Sequence, residues 1–282
     1  MQSQSFFPLF LRNNFIAMIT KLTSLVNPRI KHIVQLSKSR ERKLHDTIVV
    51  EGYREIHMAL MHGFKLKEFY FCPEITDSSK VDELIASKNI ELFEISKAIF
   101  EKVAYRENSD GLLALFTPKY LALEEMQLST NPLILVVESV EKPGNLGALL
   151  RTADAGRLDA IVVCDARTDI YNPNVIRSSL GCVFSQQVVT CSNAEAMAFF
   201  RARGIRTFAA ALPAKKFYHE TNLNVSAAIV MGTEADGLTD AWLNGADEQI
   251  KIPMGGKVDS LNVSTSAAIL VFEALRQRGF RY

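Results

Sequence analysis

The feature that most constrains this chain is a series of uninterrupted apolar runs in its second half, at 133–137, 160–164, 207–212 and 227–231. A strand with one face in water alternates apolar and polar residues, whereas a run without polar positions must be covered on both faces. Segments of helical periodicity separate these runs, and strands alternating with helices imply a parallel sheet sandwiched between helices. The last helix, expected over 264–278, puts Ala267, Leu270, Val271, Ala274 and Leu275 on one stripe, with Ser264 as its N-cap. The second half is therefore expected to be an α/β domain.

The first half has a different texture. Asn27-Pro28 is a helix start, followed by Ile30, Ile33, Val34 and Leu36 at helical spacing. Short strands are expected at 47–50, 69–72 and 111–116, with a helix over 53–61 that ends before Gly63. These elements make a small α/β unit. Prolines bound a stretch that reads as a linker. The domain scheme is thus an extension over 1–19, expected to be poorly ordered, a small α/β domain over 20–117, a linker over 118–132 and a larger domain over 133–282. Within the extension, Pro8, Arg12, Asn13 and Asn14 interrupt the apolar residues, so it reads as neither signal peptide nor membrane span.

Cys72, Cys164, Cys182 and Cys191 include no C-x-x-C pair, and no histidine cluster has metal-ligand spacing. A reduced, cytoplasmic protein without a metal site is expected. The net charge of +1 argues at first against a nucleic-acid partner. It averages over unequal halves: residues 1–120 hold 17 Lys and Arg against 14 Asp and Glu, and residues 121–282 hold 15 against 17. Between Lys21 and Lys43 there is one acid, Glu41, against seven bases. Six of those bases, Arg29, Lys31, Lys38, Arg40, Arg42 and Lys43, are candidates to follow an RNA phosphate backbone; the alternative is a solvated helix face.

Three polar segments lie at or just beyond the ends of expected strands, where ligands sit in open α/β sheets. The first is E-S-V-E-K-P-G-N-L-G-A-L-L-R-T-A from Glu138, in which Gly144, Asn145 and Gly147 allow a tight turn into a helix that carries Arg151. The second is M-G-T-E-A-D-G-L, in which Gly232 and Gly237 bracket Glu234 and Asp236. The third is I-P-M-G-G-K-V-D-S-L-N-V-S, in which Ser260 and Asn262 lie between two apolar elements. Each alone is a weak signal; the first matches neither G-x-G-x-x-G nor a Walker loop, and the missing turn and following acidic residue argue against a nicotinamide-type dinucleotide enzyme.

In order, spacing and wording the three segments resemble motifs 1, 2 and 3 of the SpoU (TrmH) family of RNA ribose 2′-O-methyltransferases, in the SPOUT superfamily. The resemblance is strong over about 133–278. Residues 20–117 more loosely resemble the ribosomal-protein-like RNA-binding domain that many members carry in front. It implies a trefoil-knotted α/β domain with a parallel sheet, S-adenosylmethionine as cofactor and a homodimer formed through the C-terminal domain. By position it places cofactor contacts on Gly232, Ile252, Met254 and Leu261 and at the strand end Ala210, Ala211 and Leu212. It places the catalytic set on Arg151, Asn145, Glu234, Ser260 and Asn262. The front domain favours large-subunit (23S) ribosomal RNA as substrate over tRNA. A tRNA ribose methyltransferase and a catalytically idle RNA-binding or ribosome-assembly factor of the same fold are the alternatives, and the intact catalytic set argues against the idle factor.

Overall fold

The computed structural model describes residues 19–85, 90–106 and 109–280; the expected extension at 1–18 lies outside them. The chain divides between Pro118 and Lys119 into two compact units. In the first, five strands, β1 (Ile19–Leu22), β2 (Ile48–Glu51), β3 (Leu66–Phe71), β4 (Glu91–Ile95) and β5 (Leu112–Phe116), form one mixed sheet in the order β1-β4-β3-β5-β2. β5 runs antiparallel to both its neighbours, and β1, β4 and β3 run parallel.

Helices α1 (Pro28–Gln35), α2 (Ser39–His45), α3 (Tyr53–Met61), α4 (Ser78–Ile85) and α5 (Lys97–Val103) connect these strands. Asn27 caps α1 by accepting the backbone N–H of Arg29 at 2.9 Å, with Pro28 pre-set at the first helical position. Ile30, Ile33 and Leu36 then join Tyr70, Phe93 and Phe100 in the core of this unit.

In the second unit seven strands form one sheet: β6 (Leu133–Glu138), β7 (Ala160–Cys164), β8 (Val188–Cys191), β9 (Arg206–Ala210), β10 (Lys216–Phe217), β11 (Ala227–Met231) and β12 (Glu248–Lys251). Their order is β10-β12-β9-β11-β6-β7-β8, and every pairing is parallel. β6, β7 and β11 are buried at every position, as uninterrupted apolar runs require. The helices are α6 (Pro143–Ala155), α7 (Pro173–Ser178), α8 (Cys182–Ser185), α9 (Asn193–Ala202), α10 (Asp240–Gly245) and α11 (Val263–Gln277).

Three details differ from the sequence expectation. The run at 207–212 leaves the sheet after Ala210, and Leu212 is exposed. The expected linker over 118–132 is packed on the second unit instead: Leu121 bridges to Val189 beside the β8 edge, and Leu123 and Met126 are buried in the core of that unit. The N-cap of α11 is Asn262, whose side chain accepts from the N–H of Ser264 at 3.0 Å, and not Ser264 itself. Among the described residues no helix is long and apolar enough to cross a membrane.

Candidate active site

Because all strands of the second sheet point the same way, the segments that follow β6, β9, β11 and β12 emerge at one end. The three polar segments meet there. Lys142 and Asn145 come from the start of α6, Glu234 from the loop after β11 and Asn262 from the start of α11. The Lys142 ammonium donates to Glu234 Oε2, and the Asn262 amide donates to Glu234 Oε1. The same amide nitrogen lies 3.3 Å from Asn145 Oδ1.

Asn262 uses both ends of its side chain. Its oxygen accepts from the backbone N–H and, at 2.6 Å, the hydroxyl of Ser264 in the first turn of α11, while its amide reaches across to the other two segments. The hydrogen bond from Lys142, with further ones from Asn145 and Asn262, holds the Glu234 carboxyl below its ordinary pKa against the opposing effect of desolvation. Glu234 is therefore ionised at neutral pH.

Two cavities flank the loop that carries Glu234. The larger, about 270 Å³, is lined by all seven positions expected to contact a cofactor: Ala210, Ala211, Leu212, Gly232, Ile252, Met254 and Leu261. Leu238 and Leu243 add apolar wall, and Glu234, Asp236, Asp259 and Ser260 add polar groups. The smaller, about 80 Å³, lies on the α6 side of the loop against Lys142, Asn145 and Leu149, and only the larger can take a nucleoside-sized group. The donor set fits S-adenosylmethionine: strand-end backbone and apolar walls suit an adenosine, and carboxylates suit a sulfonium and an ammonium.

Gly232 also shapes the loop, and Gly147 does other work than expected. A Cβ on Gly232 would sit 2.2 Å from the carbonyl of Gly237, because the loop turns back on itself through paired hydrogen bonds between Thr233 and Gly237. Gly237 has φ +69°, which favours glycine. Gly147 belongs to no turn: it lies inside α6, where a Cβ would meet the Ser178 side chain at 2.0 Å, so it permits close packing of α6 on α7.

Arg151 is on α6, exposed, and lines neither cavity. It is six positions beyond Asn145, about 9 Å along the helix and roughly 120° around it. It stands instead near Cys182 at the start of α8, whose thiol it influences electrostatically. Hydrogen bonds thus join Asn262 to Asn145 and Glu234, Ser260 lines the larger cavity, and Arg151 stands apart from both cavities. Lys142 was not singled out from the sequence; its only signal is its position inside the first segment.

The basic stretch of the first unit sorts into two groups. Arg42 is 2% exposed and donates to the carbonyls of Leu36 and Ser37, both at 2.8 Å, so it closes the end of α1 and has no surface to offer an RNA phosphate; the expectation for Arg42 is corrected. Arg29 pairs with Glu68, pairs with Glu91 at 2.8 Å and lies 4.5 Å from the centre of the Phe93 ring, so its charge is largely committed within the domain. Lys31, Lys38, Arg40 and Lys43 are exposed.

Residues 132–272 match the SpoU rRNA Methylase family, and residues 27–114 match the MRM3-like substrate binding domain. The chain is 29% identical to RlmP of Bacillus subtilis, a 23S rRNA guanosine 2′-O-methyltransferase, over 89% of this chain and 98% of the relative. It is 34% identical to RlmB of Vibrio cholerae, also a 23S rRNA guanosine 2′-O-methyltransferase, over 67% of this chain and 79% of the relative. Among solved structures, an RNA 2′-O ribose methyltransferase aligns with TM-score 0.82 and 40% identity, covering 92% of this chain and 99% of the other. An AdoMet-bound rRNA methyltransferase from Sinorhizobium meliloti aligns with TM-score 0.84 and 25% identity, covering 92% and 98%.

Proposed function

Since the chain belongs to the SpoU rRNA methylase family, we propose that it transfers a methyl group from S-adenosylmethionine to a ribose 2′-hydroxyl of large-subunit ribosomal RNA. The observation that carries this reading is the meeting of Lys142, Asn145, Glu234 and Asn262, drawn from three separate segments, beside a cavity lined by every expected cofactor contact. The reading includes the knotted path of the chain, a homodimer through the second unit, a cytoplasmic location and a first unit that binds the RNA substrate.

Ala210, Ala211, Leu212, Gly232, Ile252, Met254 and Leu261 would hold the cofactor. When bound, S-adenosylmethionine would supply an electrophilic methyl group on a sulfonium, with the thioether as leaving group and the proton of the ribose hydroxyl passing to solvent. The task left to the protein is to place that hydroxyl in line and ease its deprotonation. A guanidinium is a poor base at any ordinary pH, so Arg151 acts by holding the phosphate beside the target ribose, its charge favouring the alkoxide. In the dimer, α6 of one copy brings Arg151 to the site. Glu234, kept ionised by Lys142, anchors the Asn262 amide, and Asn145, Asn262 and Ser260 orient the ribose.

The test pairs calorimetric titration of the protein with S-adenosylmethionine and transfer of labelled methyl to purified ribosomal RNA and, separately, tRNA. Binding of the cofactor with label in the large-subunit RNA is expected. Label confined to tRNA would transfer the enzyme to the other substrate class, and binding without any transfer would support the idle factor.

A further inference from the structure

Glu138, the last residue of β6, is 1% exposed, and a carboxyl group so deep in a fold must be matched by hydrogen-bond partners. Three donors converge on it. The Thr239 backbone N–H donates to Oε2 at 2.8 Å, the Thr239 hydroxyl donates to Oε1 at 2.6 Å, and the Asn193 amide donates to Oε1. Asn193 in turn accepts the indole N–H of Trp242 at 2.6 Å. Thr239 stands at the N-cap position of α10 but makes no side-chain cap, since its hydroxyl is turned to Glu138.

These bonds fix a specific piece of the site. The loop that carries Glu234 leaves the sheet at Met231, closes on itself between Thr233 and Gly237, and ends at Thr239. Its entry is held by β11 and its exit by Glu138. Leu238 and Leu243, on either side of Thr239 and Trp242, form part of the larger cavity wall. We infer that Glu138 is a positioning residue: through Thr239 it fastens the exit of the Glu234 loop, and through Asn193 and Trp242 it fixes the wall of the cofactor cavity. The inference rests on the proposed function only for the identity of the ligand.

Trp242 is the single tryptophan of the chain and is wholly buried, so its fluorescence reports this arrangement directly. Glu138→Gln presents an amide group to donors and leaves at least one of them unmatched. Thr239→Val removes one hydroxyl with little change in size, and Thr239→Ser restores it. The experiment measures S-adenosylmethionine affinity by calorimetry, kcat and KM for methyl transfer, and acrylamide quenching of Trp242, with circular dichroism as the check on folding.

Glu138→Gln and Thr239→Val are expected to weaken cofactor binding by about ten- to a hundredfold, the range for leaving a buried hydrogen-bonding group unsatisfied. Both should raise KM, lower kcat and make Trp242 easier to quench, while Thr239→Ser stays close to the wild type. If Thr239→Val folds and binds the cofactor as the wild type does, with unchanged quenching, the inference is overturned, whatever Glu138→Gln does. A wild-type protein that binds no S-adenosylmethionine would speak against the proposed function instead, and the quenching comparison would still decide whether Glu138 fixes the loop.

Discussion

Arg42 in the first unit and Asn262 in the second both bond backbone groups at a helix end, yet only one of them is open to solvent. Arg42 donates to two carbonyls at the end of α1, and the side chain is sealed from solvent. Asn262 caps α11 with its oxygen and keeps an amide that reaches Glu234 and Asn145. A polar residue that looks functional in a sequence serves a site only if folding leaves one of its hydrogen-bonding groups unspent. In the first unit folding divides the basic stretch between structure and surface. In the second it draws residues from three separate segments to one place.

The largest effect is expected at Arg151. Arg151→Ala should lower methyl transfer by about 10²- to 10⁴-fold and leave calorimetric binding of S-adenosylmethionine unchanged. An unchanged rate would take Arg151 out of the site and leave the gathered residues of one copy as the whole machinery.

Arg42 and Arg40 sharpen the contrast within the basic stretch. Arg42→Ala should cost the first unit about 3 kcal/mol, the scale of losing buried charged hydrogen bonds, visible in thermal or denaturant unfolding. Arg40→Ala should change stability by less than about 0.5 kcal/mol and reduce the slope of log K against log salt for RNA binding by about 1. Equal salt slopes for the Arg40 variant and the wild type would make the remaining cations only a solvated surface.

The two ends of Asn262 can be separated. Asn262→Ala removes the cap and should cost about 1 kcal/mol in addition to slowing transfer. Asn262→Ser keeps a capping oxygen but loses the amide, so stability should hold while transfer falls; equal losses in both variants would mean that the residue is only a cap.

The smallest effect concerns pH. The Glu234 carboxyl titrates below its ordinary value, chiefly through Lys142. A depressed pKa favours the folded arrangement above the unfolded-state pKa and loses that benefit as pH falls through the folded one. The network should therefore be intact from neutral pH down to the lower edge of the usual carboxylate range. Lys142→Met should move the Glu234 titration, followed by NMR, upward; a titration that does not move would show that Lys142 is a bystander.

How much of this was legible follows from what each signal depends on. The uninterrupted apolar runs at β6, β7 and β11 gave the buried parallel strands directly, and the apolar spacing of α3 and α11 gave those helices. β12, Glu-Gln-Ile-Lys with Ile250 alone buried, carries almost no apolar signal and depends on its neighbours for its place. The residues of the three segments could be picked out because their wording is distinctive. Their bonding could not: Lys142 is one lysine among many, and the burial of Arg42 depends on how α2 folds back against the end of α1. Gly147 reads as a turn residue and is a packing residue, because the sequence does not show that Ser178 lies against it.

The central claim is tested most directly by the position of the transferred methyl group. The protein is incubated with S-adenosylmethionine labelled on the methyl group and large-subunit ribosomal RNA, and the RNA is hydrolysed with alkali, which needs a 2′-hydroxyl to cut the chain. Label in an alkali-resistant dinucleotide is the predicted result. Label released in mononucleotides, which places the methyl group on a base, would contradict the account.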